Sequence, residues 1–253
     1  MAATKKATEL IPSWIRRVVP QGYMTGTLTL TGTSPLLMNS AEADRDAELY
    51  RAYVLLGQKT GKTLDDDARL RKLEWEVRIF FDADLGPYVP GRQVKGLLVD
   101  AAGKFKKGAT VKRSLITMLS RIPLEYDGPR DQDALWDAGY RYTTMVKNAG
   151  FNAGRVMRCR PMFPDWSLTA EIAFDPEEID PDTLAAIVER SQRYGIGDYR
   201  PSSGGDFGAF NASLDLSGTK RRIRDPLGAK SRNGHEEAAH EAFKSRILVD
   251  TGV

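Results

Sequence analysis

The chain has 253 residues, 41% apolar and 28% charged, the composition of a folded protein of one large domain or two small ones. Its 37 basic and 34 acidic residues leave a formal charge of only +3, which excludes a uniformly basic nucleic-acid binder and confines any such role to local patches. The single cysteine, Cys159, excludes an intrachain disulfide and a thiolate metal site.

Residues 1–20 read as a polar arm with one apolar segment, Ile11-Pro12-Ser13-Trp14-Ile15, which either docks on a neighbouring subunit or tucks back on its own domain. No apolar core of signal-peptide length follows Met1, and no run reaches transmembrane length, so a cytoplasmic location and no membrane partner are expected. Tyr23 to Leu30 alternates as a strand and stops at Gly32-Thr33-Ser34-Pro35. A helix over 41–56 and a polar loop over 57–63 follow. Asp65-Asp66-Asp67 opens a second helix, where acids complement the N-terminal dipole, with Leu70, Leu73, Trp75 and Val77 on one side. Ile79-Phe80-Phe81 and Pro87-Tyr88-Val89 flank Asp82–Gly86 as a short hairpin. Pro90-Gly91 then introduces a helix from Arg92 to about Phe105 that buries Val94, Leu97, Leu98 and Ala101.

A basic break, Lys104 to Gly108, separates this helix from strands expected at Val111–Leu119 and Ile122–Tyr126. A loop over 127–131 leads to strands at Tyr140–Val146, Arg155–Phe163 and Trp166–Phe174. Asp180-Pro181 starts the last core helix, which turns Leu184, Ile187 and Val188 inward. A glycine-rich loop and a strand from Ala209 to Leu216 close the domain. Residues 217–253 read as a basic and polar tail with one helix around 235–248. The mixed order predicts an α+β fold, and a ferredoxin-like (RRM-like) βαββαβ core with insertions fits it best. The expected division is an arm over 1–20, a domain over 21–216 and a tail over 217–253.

Two motifs fail on spacing. Gly57 to Thr63 has three residues where a P-loop needs four, and it follows a helix instead of a strand. His235 and His240 are five apart, so they do not share a helical face as zinc-protease histidines do. They are the chain's two histidines, so the domain core offers no histidine general base. Asp44 with Asp46, Asp65 to Asp67, and Asp82 with Asp84 are carboxylate groupings able to hold magnesium. They sit at helix starts and turns, where solvated acids are routine, and neither a metal site nor a cofactor is assigned. Asp44 and Asp46 are the first suspects should the chain be a metal-dependent nuclease.

The basic residues fall into three groups. Lys95, Lys104, Lys106, Lys107, Lys112 and Arg113 make the first; Arg155, Arg158 and Arg160, interleaved with Phe151, Met157 and Met162, make the second; Lys220 to Arg224 make the third. Cations beside flat or apolar side chains suit single-stranded nucleic acid, whose phosphates bind charge and whose bases stack. Any one group taken alone reads better as a solvated face in a chain with 37 basic residues; it is the three groups together with the glycine-rich loop that favour binding.

The loop from Tyr194 to Phe210 adds weight, with five glycines in the fourteen residues from Gly195 to Gly208. Glycine permits positive φ and close backbone approach, and successive N–H groups in such a loop form anion-binding nests. Gly195, Gly197, Gly204, Gly205 and Gly208 are therefore candidate binding positions, with Arg200 for charge and Tyr199 and Phe207 for flat faces. Gly197 lies farther from the closing strand than Gly208 and is expected to be the cleaner probe of binding.

This arrangement resembles the RAMP superfamily, which includes CRISPR backbone subunits and guide-RNA processing proteins. Its members place a glycine-rich loop between the last helix and last strand of a ferredoxin-like core, as Gly195-Ile196-Gly197 through Gly208 is placed here. They also carry a Pro-Gly turn into a helix with a Lys-Gly pair, and Pro90-Gly91-Arg92-Gln93-Val94-Lys95-Gly96 is similar. The order Pro35-Leu36-Leu37-Met38-Asn39, Tyr88 to Gly91, Arg158 to Trp166 and Gly195 to Pro201 also resembles small phage-encoded proteins. The resemblance covers roughly residues 23–216. It implies a backbone role without catalysis, since the processing enzymes generally use a histidine. The reading is a non-catalytic, single-strand-binding protein assembling side by side as a homo-oligomer or filament. Its rivals are a metal-dependent nuclease on the same scaffold and a phage structural or assembly protein making protein contacts only.

Overall fold

The computed structural model describes residues 16–41, 48–147 and 154–217. The Trp14 segment, Asp44, Asp46, Phe151, the Lys220–Arg224 group and both histidines lie outside the described residues.

The central sheet is built from β1 (Met24–Gly32), β5 (Leu115–Thr117), β9 (Ser167–Phe174) and β10 (Phe210–Asp215) in the order β10-β1-β9-β5, all neighbours antiparallel. Helix α3 (Gly91–Ala102) lies between β1 and β5 in the chain, and α6 (Pro181–Ser191) between β9 and β10. This is the βαββαβ order of a ferredoxin-like α+β fold, as expected. Alternation sets which face is buried: Leu28, Leu30, Leu168, Ala170, Ile172, Phe174 and Leu115 are fully buried, and cross-strand register places them on one side. Val94, Leu97, Leu98 and Ala101 of α3 and Leu184, Ile187 and Val188 of α6 join them in the core. Thr25, Thr27, Thr29 and Thr31 of β1 occupy the opposite, polar face.

Two insertions enlarge this core. Between β1 and α3 come β2 (Leu36–Leu37), α1 (Glu48–Gln58), α2 (Leu64–Arg78), β3 (Phe81–Asp82) and β4 (Gly86–Pro90). Between β5 and β9 come β6 (Arg121–Pro123), α5 (Gln132–Asp137), β7 (Arg141–Lys147) and β8 (Arg155–Phe163). They form two small sheets, β2-β8-β7 and β3-β4-β6. Helix α2 starts with a capping box, Thr63 and Asp66 bonding each other's backbone N–H groups. The Lys59 ammonium and the Thr63 N–H hold the Asp66 carboxyl down to about 2.

The structure corrects one local reading and adds to two others. The stretch expected as a strand from Val111 is first a helix, α4 (Gly108–Ser114), and only Leu115–Thr117 is strand. Val111 and Ser114 are buried at helical spacing, so Lys112 and Arg113 stand on a helix. The stretch between the expected loop over 127–131 and the strand from Tyr140, for which the sequence predicts no element, holds α5, capped by the Asp131 carboxylate on the Ala134 N–H. At the described end of the expected arm, Arg17 N–H donates to Met118 O at 2.7 Å.

Candidate nucleic-acid interface

Helix α6 ends at Ser191, and the chain reaches β10 through the glycine-rich loop. The loop is folded on itself. Ile196 N–H donates to Gly208 O (2.9 Å), Ser202 to Tyr194 O (3.0 Å), Gly205 to Arg200 O (3.1 Å) and Phe207 to Tyr199 O (3.1 Å). Pro35 and the strand β2 that follows it clamp it from outside: Asp198 N–H donates to Leu37 O at 2.9 Å and Gly208 N–H to Pro35 O at 2.8 Å. Ala209 N–H donates to Ser34 Oγ at 3.0 Å. Most of the amides expected to form an open nest therefore serve the loop's own structure.

The glycines permit this packing. Gly197 has φ +86°, and a Cβ there would stand 2.5 Å from Leu37 O. Gly208 has φ +66°, and its Cβ would fall on the Ile196 carbonyl. Gly195 and Gly205 are similarly close to Pro201 and to the Tyr199 backbone, whereas Gly204 faces open space. Gly197 is thus no cleaner a probe of binding than Gly208, because both hold the loop together.

What the folded loop presents is Tyr199. This residue has φ +49°, a conformation that costs a side-chain-bearing residue about 1–2 kcal/mol, and it is 48% exposed. The adjacent Arg200 is aimed by its own contacts, Nε donating to Ser202 Oγ at 2.9 Å and a terminal nitrogen to Gly197 O at 3.4 Å. Phe207 packs instead on Tyr142 of β7, ring centroids 5.1 Å apart.

Of the arginines of β8, Arg160 reaches this loop. Glu74 of α2 is buried, and it accepts the Cys159 N–H (2.9 Å), an Arg160 nitrogen (2.7 Å) and an Arg158 nitrogen (3.5 Å). Arg160 Nε also reaches Asp198 Oδ2 at 3.3 Å. Arg160 is therefore a tie between α2, β8 and the loop. Arg155 is exposed farther along the hairpin opposite Lys147, and Met157 opposite Met145. Burial pushes the Cys159 thiol up, so it stays protonated.

The first basic group is divided. Lys104, Lys106 and Lys107 are exposed in the turn after α3, with Phe105 41% exposed among them and Lys106 at φ +57°. Six residues of helical rise from Gly96 to Ala102 put the start of this turn about 9 Å along the helix from the glycine-rich loop. Arg113 pairs with Glu178 at 2.6 Å. Lys95 is half-buried, and burial, then the charges of Arg17 and Lys112, hold its ammonium below the ordinary value.

Helix α3 and the loop enclose a cleft of about 230 Å³, lined by Gln93, Gly96, Leu97 and Asp100 on one wall and Tyr194, Gly195, Ile196, Gly197 and Arg200 on the other. The sequence reading missed Gln93, Asp100 and the exposed Phe105. Gly96 stands mid-helix, where glycine costs about 1 kcal/mol against alanine, yet nothing lies within 4 Å of where its Cβ would be. Packing does not explain it. The segments singled out in the sequence meet here: Met38 N–H bonds Pro161 O, Trp166 Nε1 bonds Ser34 O at 2.9 Å, Arg160 bonds Asp198, and the helix after Pro90-Gly91 forms the facing wall.

No family model matches the chain, and no curated protein matches it. Among solved structures 61 chains match. One belongs to the cryo-EM structure of a type III-B Cmr-beta complex bound to cognate target RNA, at 14% identity and a TM-score of 0.48, over 77% of this chain. The aligned part spans 61% of that longer chain. The strand order described above, and not this likeness, establishes the ferredoxin-like fold. Among the described residues no helix is long and apolar enough to cross a membrane, and no group of three or more metal-ligating side chains gathers.

Proposed function

We propose that the protein binds single-stranded nucleic acid across the glycine-rich loop without acting on it chemically. The observation that carries this is the pairing of Tyr199 and Arg200. The loop's amides, glycines and the Asp198–Arg160 tie hold a rigid support, and on it one exposed ring in a strained conformation sits beside one aimed guanidinium. A bulky residue held at positive φ while its ring stays in solvent gains nothing from packing, which directs attention to function. A ring for a base and a cation for the adjoining phosphate is the combination single strands need.

Lys95, Lys104, Lys106, Lys107, Lys112 and Arg155 would extend the phosphate path on either side, with Arg113, Arg158 and Arg160 contributing less because each holds a carboxylate. The domain over 21–216 would be the binding unit and copies would lie side by side along the strand, as the resemblance to RAMP backbone subunits implies.

The test is anisotropy of a labelled single-stranded oligonucleotide over a salt series. Affinity should fall as salt rises, with a log–log slope of about −0.7 per neutralised phosphate. Changing Lys106 and Lys107 together to Ala should weaken binding to all sequences alike and make that slope shallower by about 1.4. Purified protein should carry nucleic acid whose digestion by RNase or DNase identifies it. Absence of salt-sensitive binding would return the protein to a role in protein contacts only.

A further inference from the structure

The cleft between α3 and the loop carries opposite charges on its two walls, Asp100 on the helix and Arg200 on the loop. A phosphate path alone does not explain Asp100, since a carboxylate repels phosphate. One nucleotide satisfies both walls: its phosphate meets the guanidinium, and an N–H of its base meets the carboxylate. The apolar Leu97 and Ile196 lie along the walls, suited to the faces of a ring. The helix wall is open at Gly96, where a Cβ would meet nothing within 4 Å beyond its chain neighbours and its own helix backbone, so a residue that weakens its own helix keeps space for one planar group.

We propose that this cleft receives a single unstacked base bearing an exocyclic amino group, with Asp100 accepting a hydrogen bond from that amine and Arg200 on the phosphate of the same nucleotide. Cytosine, adenine and guanine carry such an amine, and uracil and thymine do not. The inference rests on the single-strand reading above and adds to it a preference among bases, which is read on edges splayed out of the stack.

Oligocytidylate and oligouridylate of equal length separate the possibilities, because the two pyrimidines match in size and differ at this group. Binding is measured by anisotropy at neutral pH and low salt for the wild-type chain, Asp100→Asn and Gly96→Ala, with a melting curve for each. The wild-type protein should favour oligocytidylate by about five-fold or more. Asp100→Asn should erase that preference by raising the affinity for oligouridylate, since an amide both donates and accepts and no longer repels phosphate. Gly96→Ala should raise the melting temperature through helix propensity and lower oligocytidylate binding to the oligouridylate level. Equal binding of the two oligomers, a preference for oligouridylate, or a preference that survives either substitution overturns the inference and leaves the single-strand reading standing. Binding of neither oligomer overturns both.

Discussion

Arg160 and Asp198 are joined across the boundary between an inserted hairpin and the glycine-rich loop, guanidinium Nε to carboxylate Oδ2 at 3.3 Å. The same guanidinium neutralises Glu74, whose side chain is only 5% exposed. Arg160→Met should therefore cost about 3 kcal/mol, the penalty of leaving a buried carboxylate short of its main partner. Asp198→Asn leaves the Glu74 pair intact and should cost about 1 kcal/mol or less. Urea denaturation of both variants checks the difference. The double variant Glu74→Gln with Arg160→Met should recover part of the loss, since removing both charges is cheaper than removing one.

Gly197→Val should destabilise the protein by about 2 kcal/mol or more, because a β-branched residue is strained at positive φ and its Cβ would crowd the Leu37 carbonyl. Gly204→Ala meets no neighbouring atom and should cost only the left-handed strain, about 1–2 kcal/mol. Thermal melts rank the two. A Gly197→Val protein that melts like the wild type would show that the contact with β2 is dispensable.

Tyr199→Asn separates strain from contact. Asparagine tolerates the left-handed region better than tyrosine, so the melting temperature should hold or rise, while loss of a stacking ring should weaken oligonucleotide binding by about ten-fold. Anisotropy with a matched melt reads both. A fall in stability with unchanged affinity would assign the ring to the fold.

Lys95 gives a pH dependence. Its folded value lies below the ordinary 10.5, so between the two the unfolded chain binds more protons, and this group's contribution to stability improves as pH rises through that window. Charged Lys95 is thus a burden at neutral pH. Lys95→Gln should melt at the same temperature or higher there and should lack the part of the alkaline gain that the wild type draws from this lysine. If the ammonium also contacts phosphate, the salt slope should become shallower by about 0.7.

The sequence disclosed the core because its strands alternate cleanly, as Leu168, Ala170, Ile172 and Phe174 do, and because Asp180-Pro181 marks a helix start that the Asp180 carboxylate caps on the Thr183 N–H. It misled at Val111, where β-branched residues suggested a strand and packing against α3 made a helix instead. The glycine-rich loop was located correctly by composition. Its use was less legible: whether an amide faces solvent or a carbonyl depends on Pro35 and Leu37, remote segments that no local pattern names. Phe207 and Tyr199 look alike in the sequence, and only the neighbouring Tyr142 ring distinguishes the held one from the presented one.

The ties that shape the loop are far apart along the chain. Ser34 holds Ala209 across 175 positions and Trp166 across 132. Closing such distances is entropically costly and comes late in assembly. During synthesis the segment 34–37 emerges long before the loop it clamps, so Tyr199 and Arg200 cannot be positioned until nearly the whole domain has left the ribosome. On the proposed reading, competence to bind would be a readout of finished folding: a truncated or half-folded chain would keep its exposed lysines and lack the support that sets the Tyr199 ring and the Arg200 guanidinium side by side.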